Sequence, residues 1–137
     1  MGLLNTAILI SGEGTNMQAL IDCCGEEKIA AKIALVVANV SNAQGLKRAK
    51  NSGIPTTVID HKNYSNRESF ENQITEKLHA KNIEMVCLAG FMRLLTKKFV
   101  NEWYNRLINI HPSLLPAYKG LNTHQRALKD GVKFTGC

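Results

Sequence analysis

The sequence predicts an α/β fold built on an open, mainly parallel sheet flanked by helices. Three observations predict it: short apolar runs without polar alternation, a helical stripe after most of those runs, and no repeat, low-complexity tract or linker between them. A strand covered on both faces by crossover helices has no wet side on which to place polar residues, so it reads as a continuous apolar run. At 137 residues the chain suits one domain, 1–137, large enough for a real core.

Ala7-Ile8-Leu9-Ile10 is the first buried strand. Ser11-Gly12-Glu13-Gly14-Thr15-Asn16 follows directly, and then Met17, Leu20, Ile21 and Cys24 recur at the offsets of a core-facing helical stripe. Thr15 and Gln18 have capping-box spacing, which predicts a helix from Asn16. A glycine-rich turn from strand to helix presents free N–H groups at the positive end of the helix, where a phosphate is stabilised. Such turns also serve connections that bind nothing. The dinucleotide version is disfavoured, because position 17 holds Met17 instead of a third glycine and the next apolar run ends at Asn39 instead of an acid.

Residues 33–38 read as the second strand and 43–51 as its helix, closed by Gly53. Pro55 opens a third strand, 56–59, near a sheet edge. Ser65 and Glu68 form another capping box before the stripe Phe70, Ile74 and Leu78. Arg67 stands in that helix's first turn, where a cation opposes the helix dipole, so it is either kept for a ligand or is an ordinary solvated arginine. Residues 85–89 are the fourth strand. They lead into Gly90-Phe91-Met92-Arg93-Leu94-Leu95, which lines a pocket or packs around the helix that Thr96 starts. Residues 107–110 form strand five, and a short helix covers 123–128 after a proline-rich loop. In open α/β sheets ligands bind beyond the carboxyl ends of the strands. That rule puts the Gly14 turn, the 90–95 segment and His111 along one rim.

Asn109 and His111 carry the chemistry of that rim. Strand side chains alternate, so an amide and an imidazole two residues apart face the same space if the strand continues that far. The imidazole exchanges a proton near neutrality, and the amide N–H steadies developing charge on an oxygen, a pairing suited to acyl transfer. The structural alternative is that His111 only ties the loop to the sheet. His124 reads as structural or superficial, and His61 and His79 as exposed.

Composition narrows the partners. Apolar residues make up 45% and charged residues 20%, and no apolar run reaches membrane-spanning length. The amino terminus lacks a signal-peptide layout, which predicts a cytoplasmic protein. Net charge of +6 favours anionic partners, but with 6% aromatics and no basic run nucleic acid is not expected. Cys23, Cys24, Cys87 and Cys137 show neither a C-x-x-C pair nor zinc spacing, and Cys87 reads as core.

Taken together, residues 10–18, residues 88–93, and above all residues 109–120 with Thr123-His124 resemble phosphoribosylglycinamide formyltransferase, in unbroken order from about Thr6 to the last residue. The resemblance implies a Rossmann-like formyltransferase domain without its C-terminal strands. Its reaction would transfer a formyl group from 10-formyltetrahydrofolate, a cosubstrate, to the amine of phosphoribosylglycinamide in purine biosynthesis. Gly14, Thr15 and Asn16 would bind the phosphorylated substrate. Arg67, Met92, Arg93, Leu94, Leu95 and Asn109 would bind the folate, with Asn109 and His111 catalytic and His111 the acid and base. No metal and no membrane partner are implied, and a homodimer is compatible.

The family also places a carboxylate shortly after the Gly136-Cys137 region to pair with the histidine. Asp22, Asp60 and Asp130 do not match that position, and an imidazole without the partner is less protonated at neutral pH. The 137-residue chain alone is therefore expected to be inactive and to expose a sheet edge. Formyltetrahydrofolate hydrolase and methionyl-tRNA formyltransferase share the Asn-x-His arrangement; the Gly12-to-Asn16 turn, Pro112-Ser113 and Thr123-His124 favour the glycinamide enzyme over both. A non-catalytic phosphate-binding unit is the remaining alternative.

Overall fold

The computed structural model describes residues 2–137 and has the predicted architecture. In chain order the elements are β1 (Leu4–Ile10), α1 (Thr15–Gly25), β2 (Ala31–Ala38), α2 (Gly45–Asn51), β3 (Thr56–Val58), α3 (Arg67–Ala80), β4 (Met85–Leu88), α4 (Lys97–Glu102), β5 (Leu107–Asn109) and α5 (Thr123–Asp130), with a 3-10 turn at His61–Asn63. The five strands are all parallel, in the order β3-β2-β1-β4-β5. The chain walks outward from β1 to β3, then crosses back to the other side of β1 for β4 and β5. That reversal leaves a crevice beyond the carboxyl ends of β1 and β4, where sheets of this kind bind ligands.

Two cores explain why the strands lack alternation. Ala7, Leu9, Leu35 and Val37 face Phe70, Ile74 and Leu78 of α3 together with Phe99 and Trp103. Ile8, Ile10, Val36 and Ala38 face Met17 of α1 and Leu46 and Ala49 of α2. In β2 the register steps from Ile33, opposite Thr6, to Leu35, opposite Ala7, so Ala34 is an extra residue. The bulge turns Ile33 into the core of Val36 instead of that of Leu35.

The sheet has two unlike edges. β3 is one, as Pro55 suggested, and β5 is the other. On β5 Ile108 is 54% exposed, and exposed Ile110, Leu114, Leu115, Leu121, Leu128 and Phe134 follow it. No described helix is long and apolar enough to cross a membrane.

Several element ends differ from the sequence reading. α1 begins at Thr15, and its N-cap is Gly14 at φ 74° with no side-chain cap, so the Thr15/Gln18 box does not form. In α3 the cap is Asn66, whose side chain accepts from the Ser69 N–H at 2.8 Å, and not Ser65. Asn caps as well as Ser, and here it lies at the right spacing one residue later. β5 stops at Asn109, short of Ile110. Thr96 caps α4 as expected, accepting from the Phe99 N–H at 3.3 Å.

Candidate active site

β5 delivers Asn109 as its last residue, opposite Leu88 of β4. His111 lies beyond the strand, so a loop sets its direction in place of strand alternation. Ser113 is the buried pivot of that loop. Its N–H donates to the His111 carbonyl at 2.9 Å and its hydroxyl donates to the Ala117 carbonyl at 2.7 Å. The returning chain brings the Tyr118 carbonyl 3.0 Å from His111 Nε2. A carbonyl can only accept, so Nε2 carries the hydrogen and Nδ1 is the nitrogen left free to exchange a proton.

Tyr118 is held from its other end as well. Its hydroxyl donates to Asp130 at 3.1 Å, and the Arg126 guanidinium lies 5.4 Å from its ring. Desolvation first, and then Asp130, push the Tyr118 phenol above its usual pKa, with Arg126 opposing, so it remains a donor at neutral pH. Asn109 and His111 open together with Ser113, Leu114, Leu115 and Cys137 onto a cavity of about 400 Å³. The amide and imidazole singled out in the sequence thus share one space, although the strand ends between them.

The glycine turn sits on the same rim, after β1. A Cβ on Gly14 would lie 2.8 Å from the Gly45 Cα, and the Gly45 N–H donates to the Gly12 carbonyl at 3.0 Å. Glycine at 14 therefore lets the starts of α1 and α2 touch, a reason for the residue that the sequence did not reveal. Gly14 is buried, whereas Thr15 and Asn16 are exposed on the first turn, whose N–H groups have no intrahelical acceptor.

Residues 90–95 bridge the crevice. The Ser11 N–H donates to the Gly90 carbonyl at 3.2 Å, and the Met92 N–H donates to the Ser11 hydroxyl at 2.8 Å. That hydroxyl in turn donates to Asn39 Oδ1 at 2.6 Å. His61 continues the chain: its Nδ1 lies 3.1 Å from the Asn39 carbonyl and 3.2 Å from Asn39 Nδ2. His61 is only partly exposed, contrary to expectation, because β2 and β3 end side by side and leave it packed edge-on against Phe70. His79 and His124 are exposed as expected, and Cys87 is core.

Within the segment, Phe91 and Leu95 pack on the α3 core, while Met92 is 69% and Leu94 79% exposed. Arg93 Nε is buried with no hydrogen-bond partner among the described residues. The segment ends at Thr96, whose N–H donates to Glu71 at 2.8 Å and whose hydroxyl donates to the other oxygen of the same carboxylate. Arg67 is exposed, one turn before Glu71 on the same face of α3. None of Gly14, Thr15, Asn16, Arg67 or residues 92–95 lines the cavity of Asn109 and His111; they share its rim through the sheet order.

Sequence reasoning missed Ser11, Asn39, Tyr118 and Glu71. For Glu71 a signal existed: it stands three residues before Ile74 and seven before Leu78, a carboxylate on an apolar stripe.

Residues 4–137 match the family model described as Formyl transferase. The chain is 50% identical over 131 residues to the human trifunctional purine biosynthetic protein adenosine-3, covering 96% of this chain and 13% of that protein. It is 47% identical over 125 residues to the phosphoribosylglycinamide formyltransferase of Haemophilus influenzae, covering 91% of this chain and 59% of that one. The glycinamide ribonucleotide transformylase 1 structure from Symbiobacterium toebii superposes with a TM-score of 0.95 at 41% identity, covering 98% of this chain and 64% of that chain.

Proposed function

Because the chain belongs to the formyl transferase family, we propose that it transfers a formyl group from 10-formyltetrahydrofolate to the amine of phosphoribosylglycinamide in purine biosynthesis, residues 1–137 acting as one domain. The observation that carries this reading is the shared opening of Asn109 and His111 onto one cavity, with His111 Nε2 tied to the Tyr118 carbonyl. Attack of the substrate amine on the formyl carbon makes a tetrahedral oxyanion. The Asn109 amide donates to it, and His111, protonated at Nδ1, adds a second donor. As the bond to the folate nitrogen breaks, Nδ1 gives its proton to the departing nitrogen and then takes one from the attacking nitrogen, directly or by a bridging water. Tetrahydrofolate and the formylated amide leave, and the imidazole is unchanged.

The phosphate of the substrate is assigned to Thr15 and Asn16, at the start of α1, beside the Gly14 contact. Folate is assigned to Arg67, Met92, Arg93, Leu94 and Leu95, with its formyl group beside Asn109. Two exposed apolar side chains suit its rings, and the Arg93 Nε–H, without a partner among the described residues, suits a polar group of the ligand, since buried donors are rarely left unpaired. A net charge of +6 suits both anionic ligands. We assign the protein to the cytoplasm and leave a homodimer as the assembly to test by sedimentation.

The deciding experiment supplies the whole protein with both substrates and follows formylation of the glycinamide amine. Product formation that is lost in His111→Ala supports the reading. Free formate without the amine substrate would make the protein a hydrolase, and formylated methionyl-tRNA would make it the other transferase. Sugar-phosphate binding with no turnover of any kind would leave a phosphate-binding module.

A further inference from the structure

Residues 90–95 carry exposed Met92 and Leu94 yet belong to no helix or strand, so something other than backbone ladders must hold them in place. At the front, Ser11 holds Gly90 and Met92. At the back stands Glu71, 3% exposed, a carboxylate with no ion pair among the described residues. Lys98, which lines the same groove, donates to Asn72 instead. Both oxygens of Glu71 are used on Thr96 alone, one accepting from the N–H and the other from the hydroxyl.

A buried, unpaired carboxylate is a costly way to start the six-residue helix α4, which the Thr96 hydroxyl already caps by accepting from the Phe99 N–H. What Glu71 adds is a fixed position for the last residue of the exposed segment relative to α3. The same helix carries Arg67 one turn earlier on that face. One side chain thus couples the cation on α3 to the apolar residues of the rim, the two sides between which a folate would lie.

We propose that Glu71 is a positioning residue for the folate subsite: through Thr96 it sets the distance between Arg67 and the 92–95 segment. This rests on the folate reading of that segment. The test measures two affinities separately, for 5-formyltetrahydrofolate and for phosphoribosylglycinamide, together with amide exchange. Glu71→Ala should weaken folate binding by about tenfold, the scale of an ordinary coupling between a side chain and a binding site it does not touch. It should leave sugar-phosphate binding within about twofold, as for an uncoupled site. Glu71→Gln should recover most of the loss, since its amide oxygen still accepts the Thr96 N–H. Thr96→Val, which keeps the shape and loses the hydroxyl, should fall between the two.

Exchange at Thr96 and residues 91–95 should quicken in Glu71→Ala while β1 stays protected. A folded Glu71→Ala chain with unchanged folate affinity overturns the proposal, as does an equal loss of both affinities. If the parent itself binds no folate, the folate reading fails. The exchange data then decide the anchor by themselves, because an unchanged rate at residues 91–96 would show that Glu71 fixes nothing.

Discussion

β1 and β5 are parallel strands of one sheet with opposite duties. β1 pairs on both sides, with β2 and β4, and Ala7 to Ile10 have no exposed surface. β5 pairs only with β4, over three residues, and leaves Ile108 more than half exposed. Packing is concentrated where nothing can reach, and the proposed site where a ligand can. An amide and an imidazole that must touch a ligand cannot stand on a strand covered from both sides. The site therefore takes its rigidity from loop hydrogen bonds, those of Ser113 and the Tyr118 carbonyl, and not from sheet pairing.

Leu9→Ala should sharpen this contrast most, lowering unfolding free energy by about 2–5 kcal/mol in a urea titration, as for other fully buried leucines. Asn109→Ala should do the reverse. Turnover should drop by about 10²–10³ with the loss of an oxyanion donor, while stability stays within about 0.5 kcal/mol because the side chain is exposed. A comparable fall in melting stability for both variants would break the division of labour.

Gly14→Ala comes next, at roughly 1–3 kcal/mol from the clash with Gly45, plus strain of about 1 kcal/mol or more at its positive φ. Loss of sugar-phosphate affinity in that variant would mix packing with binding, so Thr15→Ala and Asn16→Ala are the cleaner probes, expected to weaken that affinity without a stability change. Ile108→Thr should be smallest, within about 0.5 kcal/mol by thermal melting; a cost near that of Leu9→Ala would mean that β5 is covered in solution.

The strands were legible because burial on both faces removes alternation, and that shows directly in Ala7 to Ile10 and Ile33 to Ala38, whereas their order in the sheet came only with the structure. Cap positions were legible only where one candidate stood alone. Thr96 had no rival, but Ser65 stood beside Asn66, and Thr15 beside a glycine whose reason lies in Gly45, far along the chain. That Asn109 and His111 share one space could be read from their spacing. Tyr118 could not, since it acts through its carbonyl, and a main-chain oxygen leaves no mark in a sequence. Asn39 was noticed for the acid it is not, and its buried links to Ser11 and His61 required three strand ends to be brought side by side.

The parallel ladder also has a consequence for the order of assembly during synthesis. Thr6 can meet Ile33 early, but its other partner is Met85, and β5 can dock only on a β4 already in register. Long-range parallel pairing closes large loops and is slow, and chains begin folding from the amino end as they emerge. Asn109 and His111 are therefore brought together only after β1, β2 and β4 have paired, so a ribosome-bound intermediate holds those strands before the proposed site forms.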